Sequence, residues 1–298
     1  MKKVTICIPT YYGSESLIDS LSSIRNSKMG SQFRIIVALD GKPLEKSIEK
    51  RVLNLNVELI ENTDNKGQMA RIIQMIDMVD TPYVILTQDD IMFESDTIVN
   101  LLKHFQNNKK LSMVGALELP TTPKLLIEKV VAVGIFSARY IGKNWRKSNN
   151  YLMASGRCMA FNTQFLKSLE LPEKIVNSDS YLYLATKKAG GIFESAQEAI
   201  VRNPAPQTVQ EHLKQAYRFS ISQRENSDFI DSEIADEFAI PFSLKIKAVL
   251  RSFILYPIYT PLYIALTVYS KLFNMKQTYV TTGVWNTDVS TKRKKSNN

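Results

Sequence analysis

A chain of 298 residues, 44% hydrophobic and 22% charged, has the composition of a folded protein with one large domain and an appendage, or two modest domains, which excludes disorder as its default. Cys7 and Cys158, the two cysteines, lie in ordinary apolar surroundings; they make no disulfide framework and fit a reducing compartment. The formal net charge of +9 sits at one end, because from Leu244 onward nine basic residues face Asp288 alone. That excess flanks an apolar stretch, which points to an anionic membrane surface rather than to nucleic acid.

Residues 1–9 have a basic flank but only a short apolar run, so 4–8 reads as a first buried strand and not as a leader. Pro9-Thr-Tyr-Tyr-Gly13 follows as a loop. Leu17, Ile18, Leu21 and Ile24 recur at helical spacing and predict a helix over 14–24. Residues 33–39 predict a second strand, closed by the turn Asp40-Gly-Lys-Pro43, and 57–60 a third. After the polar turn 62–67, residues 69–78 return to helical spacing. Tyr83-Val-Ile-Leu-Thr87 predicts a fourth strand, which ends in Gln88-Asp89-Asp90. Strand, loop and helix in repeated order predict an α/β fold with a parallel sheet, whose ligands bind beyond the carboxyl ends of the strands. Pro9, Asp40 and Asp89 fall at such ends.

Residues 111–225 read as less regular. They hold a Pro-rich turn (119–123), a polar and aromatic stretch (139–151), the run Gly156-Arg-Cys-Met-Ala160 and a helix over about 179–188. Further on, residues 252–270 carry no charge, but Pro257 and Pro261 interrupt them, and a span needs about 20 apolar residues. Their tyrosines suit an interface, and 242–253 mixes Lys and Arg with Leu, Ile and Val as an interfacial helix does. The expectation is a hairpin lying on a membrane, with packing on its own domain as the alternative. The basic end, 291–298, is expected to be disordered.

Adjacent carboxylates at a strand end, Asp89 and Asp90, are costly to bury without a cation. Their hard oxygens suit Mg²⁺ or Mn²⁺ bridging to phosphate. A solvated turn that starts the next helix is the alternative, and these residues alone do not choose. No Ser-His-Asp or Cys-His set, zinc spacing or Walker loop is visible.

In order, Val4-Thr-Ile-Cys-Ile-Pro-Thr-Tyr11, Asn65-Lys-Gly-Gln-Met-Ala-Arg71, Gln88-Asp89-Asp90, Asp179 and Gln215-Ala-Tyr-Arg-Phe219 resemble the motifs of the family-two inverting glycosyltransferases, over about residues 1–225. The resemblance implies a GT-A fold (a Rossmann-like, mostly parallel mixed sheet with flanking helices), a nucleotide-diphosphate sugar donor and a divalent cation, Mg²⁺ or Mn²⁺. On it, Pro9, Thr10 and Tyr11 look like the nucleoside cradle, Asp40 like the acid that reads base or ribose, and Arg71 like the basic residue near the nucleotide. Asp89 and Asp90 match the metal-binding acids, with Gln88 or Thr87 replacing the family's first acid. Asp179 resembles the base that takes the acceptor hydroxyl's proton; a helix N-terminal aspartate would occupy the same place. Gln215 and Arg218 resemble the Gln-x-x-Arg-Trp signature of polymer-forming members, with Phe219 for Trp. Arg218 would then stabilise the departing diphosphate and Phe219 offer a wall to a sugar face.

The expected enzyme works at the cytoplasmic face of a membrane, peripheral or monotopic, on a lipid-linked or glycan acceptor, adding one sugar or a few. Its glycosyltransferase domain is expected over 1–242 (donor half 1–115, acceptor half 116–242), followed by a segment, 243–298, that meets the membrane surface through 243–280. One rival is a GT-A module that has lost turnover, which the missing first acid allows. Another is a sugar nucleotidyltransferase, whose glycine-rich basic loop is absent at 9–13.

Overall fold

A computed structural model describes residues 3–229, apart from 176, and 236–274; of 222–229 and 274 it describes the backbone alone. The chain runs β1 (Val4–Thr10), α1 (Glu15–Arg25), β2 (Arg34–Leu39), α2 (Lys46–Asn54), β3 (Glu58–Ile60), α3 (Gln68–Asp77), β4 (Tyr83–Thr87), β5 (Met92–Phe93), α4 (Thr97–Asn107) and β6 (Leu111–Pro120). It continues as α5 (Leu126–Asn144), β7 (Cys158–Asn162), α6 (Thr163–Ser168), α7 (Ser178–Lys188), β8 (Ile192–Asn203), α8 (Val209–Phe229), α9 (Phe242–Leu255) and α10 (Tyr259–Asn274).

The strands make one eight-stranded sheet in the order β3-β2-β1-β4-β7-β6-β8-β5. β3, β2, β1 and β4 are parallel, as the strand–helix alternation predicts; β7 enters antiparallel to both β4 and β6, so the sheet is mixed. Alternation of side chains along β1 feeds two cores. Ile6 and Ile8 join Leu17, Leu21 and Ile24 of α1 and Leu101 of α4 on one face. Cys7 joins Met69, Ile72 and Met75 of α3 and Leu182 of α7 on the other. The β1–β4 ladder ends at Cys7 and Leu86, whereas β1 continues beside β2 as far as Thr10 and Leu39. Pro9 therefore lies where β1 has a partner on one side only, which lets a proline sit in a central strand.

The second half is more regular than the sequence suggests. The turn expected over 119–123 begins as strand, because Leu119 and Pro120 close β6 opposite Arg202 and Asn203 of β8. The apolar run of β6 is interrupted by a glycine and a charged residue. Gly115 stands where a Cβ would meet the Met153 carbonyl oxygen at 2.4 Å, and Glu118 is buried beside arginines. The stretch expected to be irregular from 139 is the end of α5 followed by two short 3-10 turns, Arg146–Ser148 and Tyr151–Met153.

α9 ends at Leu255 ahead of Pro257, and Pro261 falls in the first turn of α10, where a missing N–H removes no helical bond. Both helices pack on α5, and α10 also on α8. Among the described residues, no helix is long and apolar enough to cross a membrane. The tail expected over 291–298 lies outside the described residues, as do Lys276 and Tyr279.

Candidate active site

The strand ends converge where the parallel half of the sheet splays. β1 ends at Thr10, whose main-chain carbonyl accepts from the Asp40 amide (2.9 Å), so the ends of β1 and β2 are tied. The Thr10 hydroxyl donates to Asp89 Oδ2 and accepts from the Gly13 amide (3.1 Å), which joins the loop after β1 to the acids after β4. Asp89 and Asp90 are both buried, so they are not a solvated turn. Lys42 Nζ stands 5.3 Å from the Tyr11 ring centre and 5.0 Å from that of Tyr12, placing a cation over the aromatic loop.

Asp40 and Arg71 form a closed brace. The buried Asp40 carboxylate accepts from the amides of Lys66 and Gly67 (3.0 Å each) and from Arg71 Nε (2.7 Å). Arg71 Nη2 donates to the Asp64 carbonyl (2.5 Å) and to Asp64 Oδ1 (2.6 Å). That hydrogen bond and the guanidinium charge hold the Asp64 carboxyl below its ordinary value. Gly67 has φ +92°, a conformation that glycine adopts freely, and its amide donates to Asp40. The glycine of the Asn65-x-Gly67 frame is thus a backbone requirement of the loop.

The loop before β7 joins this end of the sheet to α7. Arg157 donates through Nη1 to Gln88 Oε1, while its carbonyl accepts from the Thr87 hydroxyl (2.6 Å). One residue earlier, the Gly156 amide donates to Asp179 Oδ2 (3.0 Å); the Ser180 amide donates to Asp179 Oδ1 (3.0 Å). A Cβ on Gly156 would lie 2.8 Å from the Asp179 Cβ, so only glycine permits this approach. Asp179 is in the first turn of α7, where an aspartate also suits the helix dipole.

Behind the loop lies a buried ion cluster. Glu118 Oε2 accepts from Arg139 Nη2 (2.7 Å) and the Ser155 hydroxyl (2.5 Å), and Arg157 Nε stands 3.8 Å from Glu118 Oε1. Burial alone would raise the Glu118 pKa. The charges of Arg139 and Arg157, with hydrogen bonds from Ser155 and Asn203, outweigh that and hold it below its ordinary value.

Of the residues picked from sequence, Pro9, Thr10, Tyr11, Asp40, Arg71, Asp89 and Asp90 share one region, and the 155–157 loop brings Asp179 to its border. Gln215 and Arg218 are half-buried on α8, which packs on α7 and α10; Phe219 is 59% exposed. Sequence reasoning missed Lys42, Glu118, Arg139 and Arg157. The Gly156-Arg157 pair was the visible signal for the last; nothing in the spacing marks Glu118 as the partner of Arg139.

A mixed sheet flanked by helices, with paired acids after a parallel strand and a further aspartate joined to that strand end through one loop, fits a GT-A glycosyltransferase fold. The chain belongs to glycosyl transferase family 2, whose sequence profile matches residues 5–169, more than half of its length. No curated protein matches the sequence. Among solved structures, the mannosyltransferase PcManGT from Pyrobaculum calidifontis, in complex with GDP-Man and Mn²⁺, is similar with a TM-score of 0.59 at 12% identity, over 94% of this chain and 77% of that one. Glucosyl-3-phosphoglycerate synthase from Mycobacterium tuberculosis is similar with a TM-score of 0.54. Its complex with phosphoglyceric acid shares 10% identity over 76% of this chain and 79% of that one. Its complex with UDP shares 11% identity over the same shares, 76% and 79%. At these identities the likeness is one of fold.

Proposed function

We propose that this protein moves a sugar from a nucleotide-diphosphate sugar to a hydroxyl of a lipid-linked or glycan acceptor, with inversion at the anomeric carbon. The observation that carries the reading is one chain of contacts at a strand end: Thr10 to Asp89, then through Gln88 to Arg157, and across Gly156 to Asp179. These contacts link the end of β4 to Asp179 through the 155–157 loop, which supports a reading of donor-side acids and a base at one site.

The Asp64–Gly67 loop, braced by Asp40 and Arg71, would wall the nucleoside, with Pro9, Thr10 and Tyr11 beneath it and Lys42 beside the phosphates. Asp89 and Asp90 fit Mg²⁺ or Mn²⁺ as a donor set, being hard, nearly dry carboxylates. Among the described residues no group of three His, Cys, Asp or Glu side chains is gathered for a metal, which leaves ligand positions to phosphate oxygens and water. When bound, the cation would offset charge on the departing diphosphate. Asp179, aimed by two backbone amides, would take the acceptor's proton as its oxygen attacks, and Arg218, with Gln215, would act on the leaving group. The acceptor would enter from the side of residues 116–242, while 243–298 would rest on the cytoplasmic face of a membrane and hold the site near its lipid-linked substrate.

Calorimetric titration with UDP, GDP and TDP, with and without Mn²⁺, tests this reading. Metal-dependent binding of one nucleotide is expected, lost in Asp89→Ala/Asp90→Ala. A folded protein that binds none of them would instead be a non-catalytic module of this fold. Release of pyrophosphate rather than a nucleoside diphosphate from the sugar nucleotide would make it a nucleotidyltransferase.

A further inference from the structure

The C-terminal helices are built inside out. α9 buries Ala248 and Ser252 but exposes Phe242 (75%), Leu250 (59%) and Ile254 (80%). α10 buries Thr260 and Ser270 while Val268 and Leu272 face outward, and Ile258 between the helices is 73% exposed. The buried hydroxyls are satisfied within the helical pair and against α5. Ser252 Oγ meets Ser137 Oγ at 2.8 Å, Thr260 Oγ1 donates to the Ser252 carbonyl (2.8 Å), and Ser270 Oγ to that of Leu266 (2.8 Å). Gly134 of α5 completes the fit, since a Cβ there would fall 2.3 Å from the Tyr263 hydroxyl. Small residues inward and large apolar ones outward is the arrangement of helices whose surroundings are lipid. In water such an apolar face is an association site.

Two cations stand in this face. Lys247 and Arg251, one turn apart on α9, are exposed, and among the described residues neither makes an ion pair. The Arg251 guanidinium lies over the Tyr140 ring of α5, 5.1 Å from its centre, which fixes its direction. Between them is a shallow cleft of about 370 Å³, lined by Tyr140, Lys247, Leu250, Arg251, Ile254 and Leu255. It combines two unneutralised cations with an apolar floor and an interfacial tyrosine.

We propose that this cleft holds the phosphate headgroup of an anionic phospholipid. Lys247 and Arg251 contact the phosphate, and Leu250 and Ile254 lie against the acyl chains, seating the helical pair on an anionic bilayer. The inference rests on the membrane-surface reading above and names the lipid that anchors it. Charge complementarity selects this occupant over a second copy of the chain, because the described residues of the helical pair carry four cations, Lys245, Lys247, Arg251 and Lys271, and no acidic side chain, so two such faces would repel.

Flotation of the full-length protein with vesicles of phosphatidylcholine, with or without phosphatidylglycerol, tests it. The wild type should partition strongly onto the phosphatidylglycerol vesicles. Lys247→Gln/Arg251→Gln should lower that partitioning about thirty-fold. The charge-matched control Lys245→Gln/Lys271→Gln, outside the cleft, should lose clearly less. Equal losses in the two double variants would reduce the cleft to general charge attraction and overturn the site. If Lys247→Gln/Arg251→Gln binds like the wild type while Ile254→Asn/Ile258→Asn releases the protein, the headgroup site falls and membrane contact stands. A wild type that binds neither vesicle and runs as a dimer on sizing overturns both readings and gives the apolar face to a second copy. Displacement from vesicles by inorganic phosphate at constant ionic strength would assign the cleft to a soluble phosphate instead.

Discussion

Asp179 is aimed by its neighbours. Its two carboxylate oxygens are held by the amides of Gly156 and Ser180, and the missing Cβ of Gly156 is what allows the chain so close. Asparagine at this position keeps size and one acceptor oxygen but takes no proton from an attacking hydroxyl. Asp179→Asn should therefore lower kcat about 10²- to 10⁴-fold with nucleotide affinity unchanged by calorimetry. Turnover like that of the wild type would leave Asp179 a helix-terminal residue only. The thiols behave differently. Burial pushes Cys7 up to about 12 and Cys158 higher still, so neither is a nucleophile at neutral pH and both serve as core. Asp40, Asp89 and Asp90 were readable as candidates because carboxylates are conspicuous at apolar strand ends. Lys42 and Arg157 were not, since a surface loop lysine and a loop arginine look alike until the ring or carboxyl they meet is known.

At the scale of elements, β8 is held to α4 by an ionic clasp. His104 Nδ1 lies 2.8 Å from Glu194 Oε2 and its Nε2 lies 2.9 Å from Glu198 Oε1, while Asn108 Nδ2 donates to Glu194 Oε1 (3.2 Å). Burial lowers the imidazole pKa, but the hydrogen bonds and charges of the two glutamates outweigh it, and the folded value lies above the ordinary 6.5. A raised folded value means that the contribution to stability is complete below the unfolded value and lost as pH rises through the folded one. Both glutamates are well exposed, so the clasp is worth less than about 1 kcal/mol. Denaturant titrations across pH should show the wild type losing this increment as pH rises through the folded value and His104→Gln lacking it throughout. The same pairs show why β8 was illegible. Its partners β6 and β5 and its clasp on α4 are all distant in sequence, and β6 is interrupted by Gly115 and Glu118. By contrast α1 carries its own signal: Leu17, Ile18, Leu21 and Ile24 fall on one face and all four are buried.

Across the whole molecule, α5 is the element through which the C-terminal helices meet the sheet, at β6. One side of it carries Gly134 and Ser137 against α9 and α10; the other sends Arg139 to Glu118, which also holds Ser155 beside Gly156. Glu118→Gln keeps the shape but leaves Arg139 without its buried counter-charge. It should destabilise the fold by about 3 kcal/mol in denaturant and lower turnover by loosening the 155–157 loop. Because the folded Glu118 value is lowered, the pair's contribution is present above the ordinary carboxyl range and disappears as pH falls through the folded value. The variant should lack that acid limb. A melting midpoint equal to that of the wild type would show that the cluster holds nothing.

The sequence by itself determined the parallel half of the sheet, its strand-end acids and the break between α9 and α10. Each of these is written in local terms: periodicity of apolar residues, turn chemistry, the fixed φ of proline. Only the tertiary structure decided that Asp40 closes on Arg71, that Gln88 meets Arg157, and that Arg139 ends on Glu118. It also decided that α9 and α10 turn their small residues inward. Such pairings join residues tens of positions apart, and whether a charge is neutralised or an apolar face covered depends on which surface the folded chain brings against it. No local pattern holds that information.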